Sequence, residues 1–386
     1  MRRPAIRGIL VLLAVVLNLL PALRPDGRTA GTVSGFKIPA DSPAATTAPF
    51  FQEEFINPNS PLPMSHVASI CELPDGRLAA TWYSGSRELV RDVAIFFSTR
   101  SPGQSVWSTP RAIVTRESAA RDLNCSIKTV GNAVIFEDST GLLVMLYVSI
   151  TVGGWSGSEL NLTTSADQGL TWTQSRRLTL SPFFNFSELV KNAPVALTDG
   201  SWVVPIYQEF IGRFPELLWL RKSAGDFIAT KSRVAGGKLT FQPALVPLSS
   251  NAALVVLRDY TPQKKVSVAR TADAGRTWTS PTVLDLPNPN SGLDALRLTD
   301  GRLLLAFNDS RKGRENLRLA VSVDEGRTWI RVATLDEETG SIFSYPFLIQ
   351  GRDGCIHIVY TWKGKAIKHV EFNTEWLDER QHETPK

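Results

Sequence analysis

Residues 322–329 read SVDEGRTW, and the same eight-residue string returns, lightly varied, as TADAGRTW at 271–278 and SADQGLTW at 165–172. The shared pattern is Ser/Thr-x-Asp-x-Gly-x-Thr-Trp. Such a string predicts a tight turn between two strands, because the Asp side chain can accept backbone N–H groups, Gly supplies a positive φ and Trp packs inward. The three aspartates are therefore expected to be structural rather than catalytic.

The spacing of these strings indicates a longer repeat. Their aspartates, Asp167, Asp273 and Asp324, are separated by 106 and 51 residues, which is about two units and one unit of roughly 50 residues. Degenerate copies of the string are expected in WLRKSAGDF (219–227) and STRSPGQSVW (98–107).

A second periodic signal is a tight turn between apolar runs. It occurs six times, as LPDGRL (73–78), EDSTGLL (137–143), LTDGSW (197–202), SSNAAL (249–254), LTDGRL (298–303) and GRDGCI (351–356). Asp-Gly between β-rich runs is a strong hairpin signal. Each unit reads as strand A, the turn, strand B, a longer loop, strand C, the string and strand D. Six units predict an all-β fold, a six-bladed β-propeller of four-stranded antiparallel blades.

The segments outside the repeat predict the remaining organisation. A basic start followed by the apolar run ILVLLAVVLNLL (9–20) is typical of a signal peptide, although an N-terminal membrane anchor through residues 9–23 is an open alternative. The protein is thus expected to be secreted, periplasmic or membrane-anchored and facing outside the cytoplasm. The predicted boundaries are 1–23 for this segment, 24–48 for a linker, 49–376 for the propeller and 377–386 for a polar C-terminal tail.

Charge and composition exclude some function classes. Of the net charge of +5, residues 1–30 carry +4, from five arginines against one aspartate. The rest of the chain is nearly neutral and has no basic run, which argues against nucleic-acid binding. The four histidines show no ligand spacing, so neither a metal ion nor a cofactor is predicted. Cys71 and Cys355 lie in apolar runs and are expected to be small buried residues.

The repeat also predicts where a site should lie. The A–B turns and the strings close adjacent hairpins and share one end of the propeller, so the starts of the A strands and the ends of the B strands meet at the other end. We call this second end the mouth, and we expect its longer loops to carry function. Its candidate site residues are His66, Arg87, Glu88, Asp92, Asn132, Asn192, Glu209, Gln242, Arg258, Asp294, Arg314 and Tyr345.

Three such strings on a six-unit propeller resemble the Asp boxes of the sialidase (neuraminidase) superfamily, and the resemblance covers roughly residues 55–375. We therefore call the strings Asp boxes. They are specific for the fold and less so for activity, because lyases, other glycosidases and binding proteins of the superfamily also carry them. The resemblance implies an exported glycosidase of the exo-α-sialidase type that acts on an acidic sugar of a glycan.

The resemblance also implies roles for individual residues. ALVVLRD (253–259) and RENLRLAVSVDEGRTW (314–329) resemble the segments that supply two arginines for the substrate carboxylate, which would be Arg258 and Arg314. SYPFLIQGRDGCIHIVYTW (344–362) resembles the segment with the nucleophile, which would be Tyr345. A tyrosine serves this role because the substrate carboxylate would repel a carboxylate nucleophile.

Other positions depart from the family pattern. His66, in HVASI (66–70), stands where the family has the Arg of an Arg-Ile-Pro motif. Gln242 stands near the position of the glutamate base that activates the tyrosine, and an amide cannot act as a base. Glu209 is a possible substitute, and the general acid would be Glu88 or Asp92. Asn132, Asn192, Arg87 and Asp294 complete the predicted substrate-binding set.

Two further functions remain open on the same rim. A lyase or hydrolase for uronate-containing polysaccharides could use His66 as base and Tyr345 as acid. A non-catalytic glycan-binding propeller would fit the replaced Arg and Glu positions. A glycan or glycoconjugate is the expected partner in each case.

Overall fold

The computed structural model describes residues 34–39, 48–181, 185–234 and 238–383, and within these ranges six β-sheets are arranged as a six-bladed propeller. The predicted fold class is confirmed. The predicted signal or anchor segment, residues 1–23, lies outside the described residues. In the described part of the chain, no helix has the length and apolar character that crossing a bilayer requires.

The first three blades follow one another along the chain. Blade 1 contains β2 (Met64–Glu72), β3 (Leu78–Gly85), β4 (Ala94–Arg100) and β5 (Arg111–Val114). Blade 2 contains β6 (Thr129–Glu137), β7 (Leu143–Ile150), β8 (Ser158–Ser165) and β9 (Arg176–Arg177). Blade 3 has an interrupted inner strand and contains β10 (Leu189–Val190), β11 (Val195–Ala196), β12 (Trp202–Gln208), β13 (Phe214–Ser223) and β14 (Asp226–Arg233).

The other three blades complete the ring. Blade 4 contains β15 (Thr240–Pro247), β16 (Ala253–Asp259), β17 (Lys265–Thr271) and β18 (Thr282–Pro287). Blade 5 contains β19 (Asp294–Arg297), β20 (Leu303–Phe307), β21 (Asn316–Ser322) and β22 (Ile330–Glu337). Blade 6 contains β23 (Phe343–Gln350), β24 (Ile356–Trp362), β25 (Ala366–Phe372) and, from the other end of the sequence, β1 (Phe51–Phe55).

Burial follows the position of a strand within its blade. All eight residues of β7, a second strand, are buried, whereas the outermost strand β22 alternates between exposed and buried residues. Strands near the axis are covered on both faces by the neighbouring blades, which explains their nearly continuous apolar sequences. The hydrophobic core is therefore a series of layers between blades.

The Asp boxes form the turns between strands C and D, as predicted. Asp324 accepts hydrogen bonds from the backbone N–H (2.8 Å) and the hydroxyl (2.7 Å) of Thr328 and from the Ser322 hydroxyl (2.8 Å). Gly326 has φ 76°. In the first box, Trp172 packs edge-on against Phe97, with ring centroids 5.9 Å apart. The aspartates are fully engaged within their turns, which supports the structural role expected for them.

The last blade is closed by the N-terminal strand. β1 pairs antiparallel with β25, and Phe51 stands opposite Phe372. The ring is thus fastened by hydrogen bonds between the two ends of the propeller sequence, a feature that the repeat pattern did not predict.

In the part of the chain that the structure describes, two α-helices and one short segment lie outside the blades. Helix α1 (Arg116–Leu123) connects blades 1 and 2 and is capped at its N-terminus by Thr115. Helix α2 (Thr374–Glu383) enters the region predicted as a polar tail, and its Trp376 stacks on Phe51 at 4.7 Å between ring centroids. Residues 34–39, within the predicted linker, pack on the propeller through the buried Phe36.

Candidate functional site

The inner strands of four blades carry a β-bulge at the mouth. The register shifts in β2, β6, β15 and β23 each contain one non-glycine residue with a positive φ. These residues are Val67 (46°), Asn132 (33°), Gln242 (48°) and Tyr345 (55°). Positive φ is uncommon outside glycine, and bulges of this kind change the direction of a side chain next to a functional site. These four bulges thus lie at the same end of the propeller.

Tyr345 lies between two arginines at the mouth. Arg258 Nη1 is 3.4 Å from the Tyr345 hydroxyl, and the Arg314 guanidinium carbon lies 5.3 Å from the centre of the Tyr345 ring. Burial opposes ionisation of this phenol, but Arg258 and Arg314 outweigh it and hold the pKa of Tyr345 below its usual value. Gly292 makes room for the ring, because a Cβ there would lie only 2.7 Å from Tyr345 Cδ1.

Asn290 holds the two arginines in place. Arg258 Nε donates to the Asn290 side-chain oxygen at 2.8 Å, and Arg314 Nη2 donates to the Asn290 backbone carbonyl at 3.0 Å. Arg258 is also stacked 4.7 Å from the ring centre of Phe241. Two guanidinium groups fixed on one residue form a clamp suited to a planar carboxylate.

A chain of polar side chains crosses the mouth from blade 2 to blade 4. The Tyr207 hydroxyl accepts hydrogen bonds from Asn132 Nδ2 at 3.3 Å and from Gln242 Nε2 at 2.9 Å. Gln242 Oε1 in turn accepts from Arg258 Nη1 at 3.0 Å. Burial, with Glu209 and Tyr345 nearby, raises the pKa of Tyr207 well above its usual value. Tyr207 therefore remains a neutral phenol, and Gln242 couples it to Arg258.

His66 and Glu88 form a pair on the other side of Tyr345. His66 Nε2 is 3.0 Å from Glu88 Oε1, and the His66 ring meets the Tyr345 ring edge-on at 4.9 Å between centroids. The hydrogen bond from His66 holds the pKa of Glu88 below its usual value against the effect of burial. His66 Nδ1 is buried and has no hydrogen-bond partner among the described residues. His66 and Glu88, which the sequence indicates as candidate base and acid, thus lie beside Tyr345.

The remaining candidates on the rim have other contacts. Asp92 accepts hydrogen bonds from the backbone N–H (3.0 Å) and hydroxyl (3.1 Å) of Ser86 and so shapes the loop that carries Glu88. Arg87 is exposed on that loop. Burial raises the pKa of Glu209 although Arg258 and Arg213 act in the opposite direction, and its Oε2 lies 3.8 Å from Arg213 Nε. Glu209 thus interacts with Arg213 and Arg258, and Arg258 also contacts Tyr345.

A buried polar cluster lies under the mouth. Lys191 Nζ donates to Asn192 Oδ1 (2.6 Å), to the Leu293 carbonyl (2.8 Å) and to the carbonyl of Pro346 (2.5 Å), the residue after Tyr345. Burial lowers the pKa of Lys191 to about 8 and raises that of Asp294, with which it interacts, to about 6. Lys191 therefore joins blade 3 to blades 5 and 6.

The predicted substrate-binding residues Asn192 and Asp294 belong to this buried cluster. Asn192 donates to the Pro243 carbonyl at 2.8 Å, and Asp294 accepts from the Leu348 backbone N–H at 2.8 Å. Both side chains are buried and form hydrogen bonds within the protein. They therefore support the mouth from below, and other residues line its surface.

The sequence analysis did not predict Tyr207 or the chain of polar side chains that it joins. It also did not predict Tyr83, whose ring meets the His66 ring edge-on at 5.7 Å between centroids. These positions could have been found by counting residues along the chain from the A–B turn of each blade. Gly76 in the first A–B turn corresponds to Gly141, Gly200, Asn251, Gly301 and Gly354 in the others. Counting nine residues back from these positions gives Val67, Asn132, Lys191, Gln242, Gly292 and Tyr345. Counting seven forward gives Tyr83, Val148, Tyr207, Arg258, Asn308 and Thr361. Both series converge on the mouth because all six blades share one geometry.

Besides the His66–Glu88 pair and Glu209, the mouth is lined by arginines, amides and phenols, whose chemistry suits an organic anion. Among the described residues, the clusters of His, Cys and carboxylate that could bind a metal lie at the opposite end of the propeller.

Comparisons with known proteins agree with this architecture. The sequence profile described as BNR repeat-like domain matches residues 76–358. No curated protein sequence matches the chain significantly. A Dyadobacter fermentans protein of unknown function superposes with a TM-score of 0.69 at 13% identity, covering 84% of this chain and 99% of its own.

Two sialidase structures are also similar in fold. The Hadza microbial sialidase Hz136 has a TM-score of 0.68 at 19% identity and covers 81% of this chain and 66% of its own. The Ruminococcus gnavus intramolecular trans-sialidase in complex with oseltamivir carboxylate has a TM-score of 0.61 at 12% identity and covers 81% and 95%. At these identities the likeness establishes the fold.

Proposed function

Since the chain belongs to the sialidase-like BNR-repeat family, we propose that it is an exported glycoside hydrolase of the exo-α-sialidase type, which cleaves a carboxylate-bearing sugar from a glycan. The observation that carries the proposal is Tyr345 with its hydroxyl 3.4 Å from Arg258 Nη1 and its ring 5.3 Å from the Arg314 guanidinium. The apolar run at residues 9–20 supports a place outside the cytoplasm.

The clamp explains how the sugar would bind. Arg258 and Arg314 are fixed by Asn290, so they can receive the substrate carboxylate without reorganising. The same positive charge favours the phenolate form of Tyr345. Arg258 and Arg314 therefore serve both binding and activation, which compensates for an amide, Gln242, at the position of the base.

The reaction would proceed in two displacements. Tyr345 loses its proton to solvent, and its phenolate oxygen attacks the anomeric carbon while the bond to the leaving oxygen breaks. The His66–Glu88 pair gives its shared proton to the leaving oxygen. In the second step water attacks the same carbon, its proton returns to the pair, and the bond to Tyr345 breaks.

Trapping the intermediate tests this proposal. The full-length protein is incubated with an aryl sialoside and, separately, with a fluorinated sialosyl fluoride, and intact mass and peptide mapping follow. We expect release of the aryl alcohol and one covalent sugar on Tyr345. The matched control is Tyr260→Phe, an exposed tyrosine of the mouth end, which should react as wild type does. Turnover without modification of Tyr345, or turnover retained in Tyr345→Phe, would refute the assigned nucleophile.

A second candidate is β-elimination on a uronate-containing polysaccharide. It is favoured by the unpartnered His66 Nδ1 and by the His66 ring lying edge-on to Tyr345. His66 would take the proton next to the substrate carboxylate, the bond to the leaving oxygen would break, and Tyr345 would protonate that oxygen. An unsaturated product that absorbs in the ultraviolet would support elimination over hydrolysis, and glycan binding without either product would support a binding protein.

A further inference from the structure

A second cluster of functional side chains lies at the turn end of the propeller, away from the mouth. In the antiparallel register, His357 on β24 stands opposite Glu371 on β25, and His369 on β25 stands opposite Glu54 on β1. Residues two apart on a strand share a face, so these four side chains occupy one face of the outer part of blade 6. The chain positions of the two histidines concealed this cluster, because only the strand register brings them together.

The distances within the cluster fit those between metal ligands. His357 Nδ1 lies 3.2 Å from His369 Nε2 and 4.0 Å from Glu371 Oε2. The ligand atoms of these three residues all lie within 4.8 Å of one another. Ligands at 2.0–2.2 Å from a tetrahedral zinc ion are about 3.3 Å apart. The two imidazole nitrogens are already at that separation, and Glu371 Oε2 would have to move closer and exchange its ion pair with Arg100 for the metal ion.

The other nitrogen of His369 is already oriented. His369 Nδ1 lies 3.0 Å from Glu54 Oε1. Histidine ligands of zinc commonly donate their second N–H to a carboxylate, which fixes the tautomer and leaves the opposite nitrogen free for the metal. Glu54 is held in turn by Arg100 at 2.8 Å and by the indole N–H of Trp107 at 3.0 Å.

More ligands and an access route lie beside this set. Asp353, Cys355 and Glu371 form a second group whose ligand atoms are also within 4.8 Å of one another. Cys355 directly precedes β24, and its Sγ lies within 4.8 Å of a Glu371 carboxylate oxygen. A cleft lined by Asp353, His357 and Glu371 reaches this group.

The charges around the cluster favour a divalent cation. Glu54, Glu371 and Asp353 contribute three carboxylates, and Arg100, which forms ion pairs with the first two, contributes one positive charge.

We propose that His357, His369 and Glu371 bind one divalent transition-metal ion of the Zn²⁺ class, with Cys355 or Asp353 as a fourth ligand and Glu54 orienting His369. Two imidazoles and a carboxylate are a donor set suited to zinc. The ion would tie β24 to β25 and, through Glu54, to the closing strand β1. The site is independent of the chemistry proposed for the mouth.

Zinc titration of the chelator-treated, full-length protein tests the site. Isothermal titration calorimetry should give one ion per chain, and His357→Ala or His369→Ala should weaken binding at least 100-fold. Glu54→Gln should weaken it about 10- to 100-fold, because only the orientation of His369 is lost. His66→Ala, which removes a histidine at the mouth, is the matched control and should bind as wild type does. Equal binding by wild type and His357→Ala would overturn the proposal.

A measurement on the wild type alone guards against variants that fail to fold. Co²⁺ added to the chelator-treated protein should give the intense visible bands of a four- or five-coordinate site, and Zn²⁺ should raise the melting temperature in proportion to its binding. A Co²⁺ spectrum that matches the aqueous ion, together with an unchanged melting temperature, would exclude the site.

Discussion

The two ends of the propeller hold their polar groups in opposite ways. At the turn end, each Asp box closes on itself: Asp324 binds Thr328, four residues further along. At the mouth, the contacts join different blades: Arg258 and Tyr345 are 87 residues apart, and Asn132 and Tyr207 are 75 apart. The local contacts are repeated with the same residues in three boxes, whereas each blade places a different residue at the mouth.

This difference separates two kinds of contribution. The polar contacts of an Asp box stabilise the hairpin in which the box lies, and its Trp packs on the neighbouring blade, as Trp172 does on Phe97. The mouth exists only when all six blades have assembled, and its residues can vary because the repeated backbone supports them. Substitutions in an Asp box and substitutions of residues that line the mouth should therefore change different measured quantities, whereas the buried cluster under the mouth should contribute to stability.

The largest effect is expected at Tyr345. Replacing it by Phe removes only the hydroxyl, and kcat on an aryl sialoside should fall at least about a thousandfold, because the covalent route is lost. The melting temperature should stay close to that of the wild type, which thermal scanning checks. A melting temperature that falls together with kcat would show that the mouth also carries stability and would weaken the comparison.

Lys191→Met should give the largest loss of stability. It removes the positive charge that acts on the buried Asp294 and leaves the carbonyls of Leu293 and Pro346 without their donor, and uncovering a buried charge in this way costs about 3–5 kcal/mol of unfolding free energy. Urea unfolding measures the loss. In the double variant with Asp294→Asn, where no buried charge is left unpaired, most of the stability should return, and a single variant as stable as wild type would contradict the role of Lys191 as a cross-blade link.

At an Asp box, Asp324→Ala should lower the unfolding free energy by about 1–3 kcal/mol, because the Thr328 N–H and hydroxyl lose their acceptor. The catalytic constant should not change, since the box lies at the other end of the ring. Glu325→Ala, at the exposed neighbouring position, is the control for the substitution itself. A loss of kcat in Asp324→Ala at an unchanged melting temperature would contradict the assignment of stability to the boxes and of activity to the mouth.

The smallest effect concerns pH. Hydrogen bonds from Thr171 hold the pKa of Asp167 at about 2, and those from Thr328 hold that of Asp324 at about 2 despite the opposing effect of burial; the ordinary value is 3.8. A depressed pKa stabilises the folded state above the ordinary value, and this contribution is lost as the pH falls from about 4 to about 2. The melting temperature should drop over that interval, and less steeply in Asp324→Asn. If the melting temperatures of wild type and Asp324→Asn fall in parallel between about pH 4 and pH 2, the Asp boxes are not the source of this pH dependence.

The sequence predicted well those features of the molecule that depend on contacts between residues close together in the chain. Six turns and three boxes predicted the number of blades, the direction of the strands and the end that carries the loops, because these follow from contacts a few residues apart. It also indicated Tyr345, Arg258 and Arg314, which the structure brings together. Their roles remain part of the proposed function.

The remaining features depend on which blades meet in space. Nothing in the chain near Tyr207 indicates that its hydroxyl joins Asn132 to Gln242 across two blade boundaries. Asn192 and Asp294 have the residue types of a ligand site, yet burial assigns them to the frame. The sequence spacing of His357 and His369 does not indicate a metal site. The distance between their side chains is set by the register of β24 and β25 and not by that spacing.

The closing strand has a consequence for synthesis. Phe51 pairs with Phe372, so the first strand to emerge from the ribosome is the last to find its neighbour. At about 5–20 residues per second, that wait is roughly 15 s to a minute, during which an unpaired edge is available to other chains. Under the export proposed for this protein, completing the ring and crossing the membrane would compete for the same stretch of newly made polypeptide.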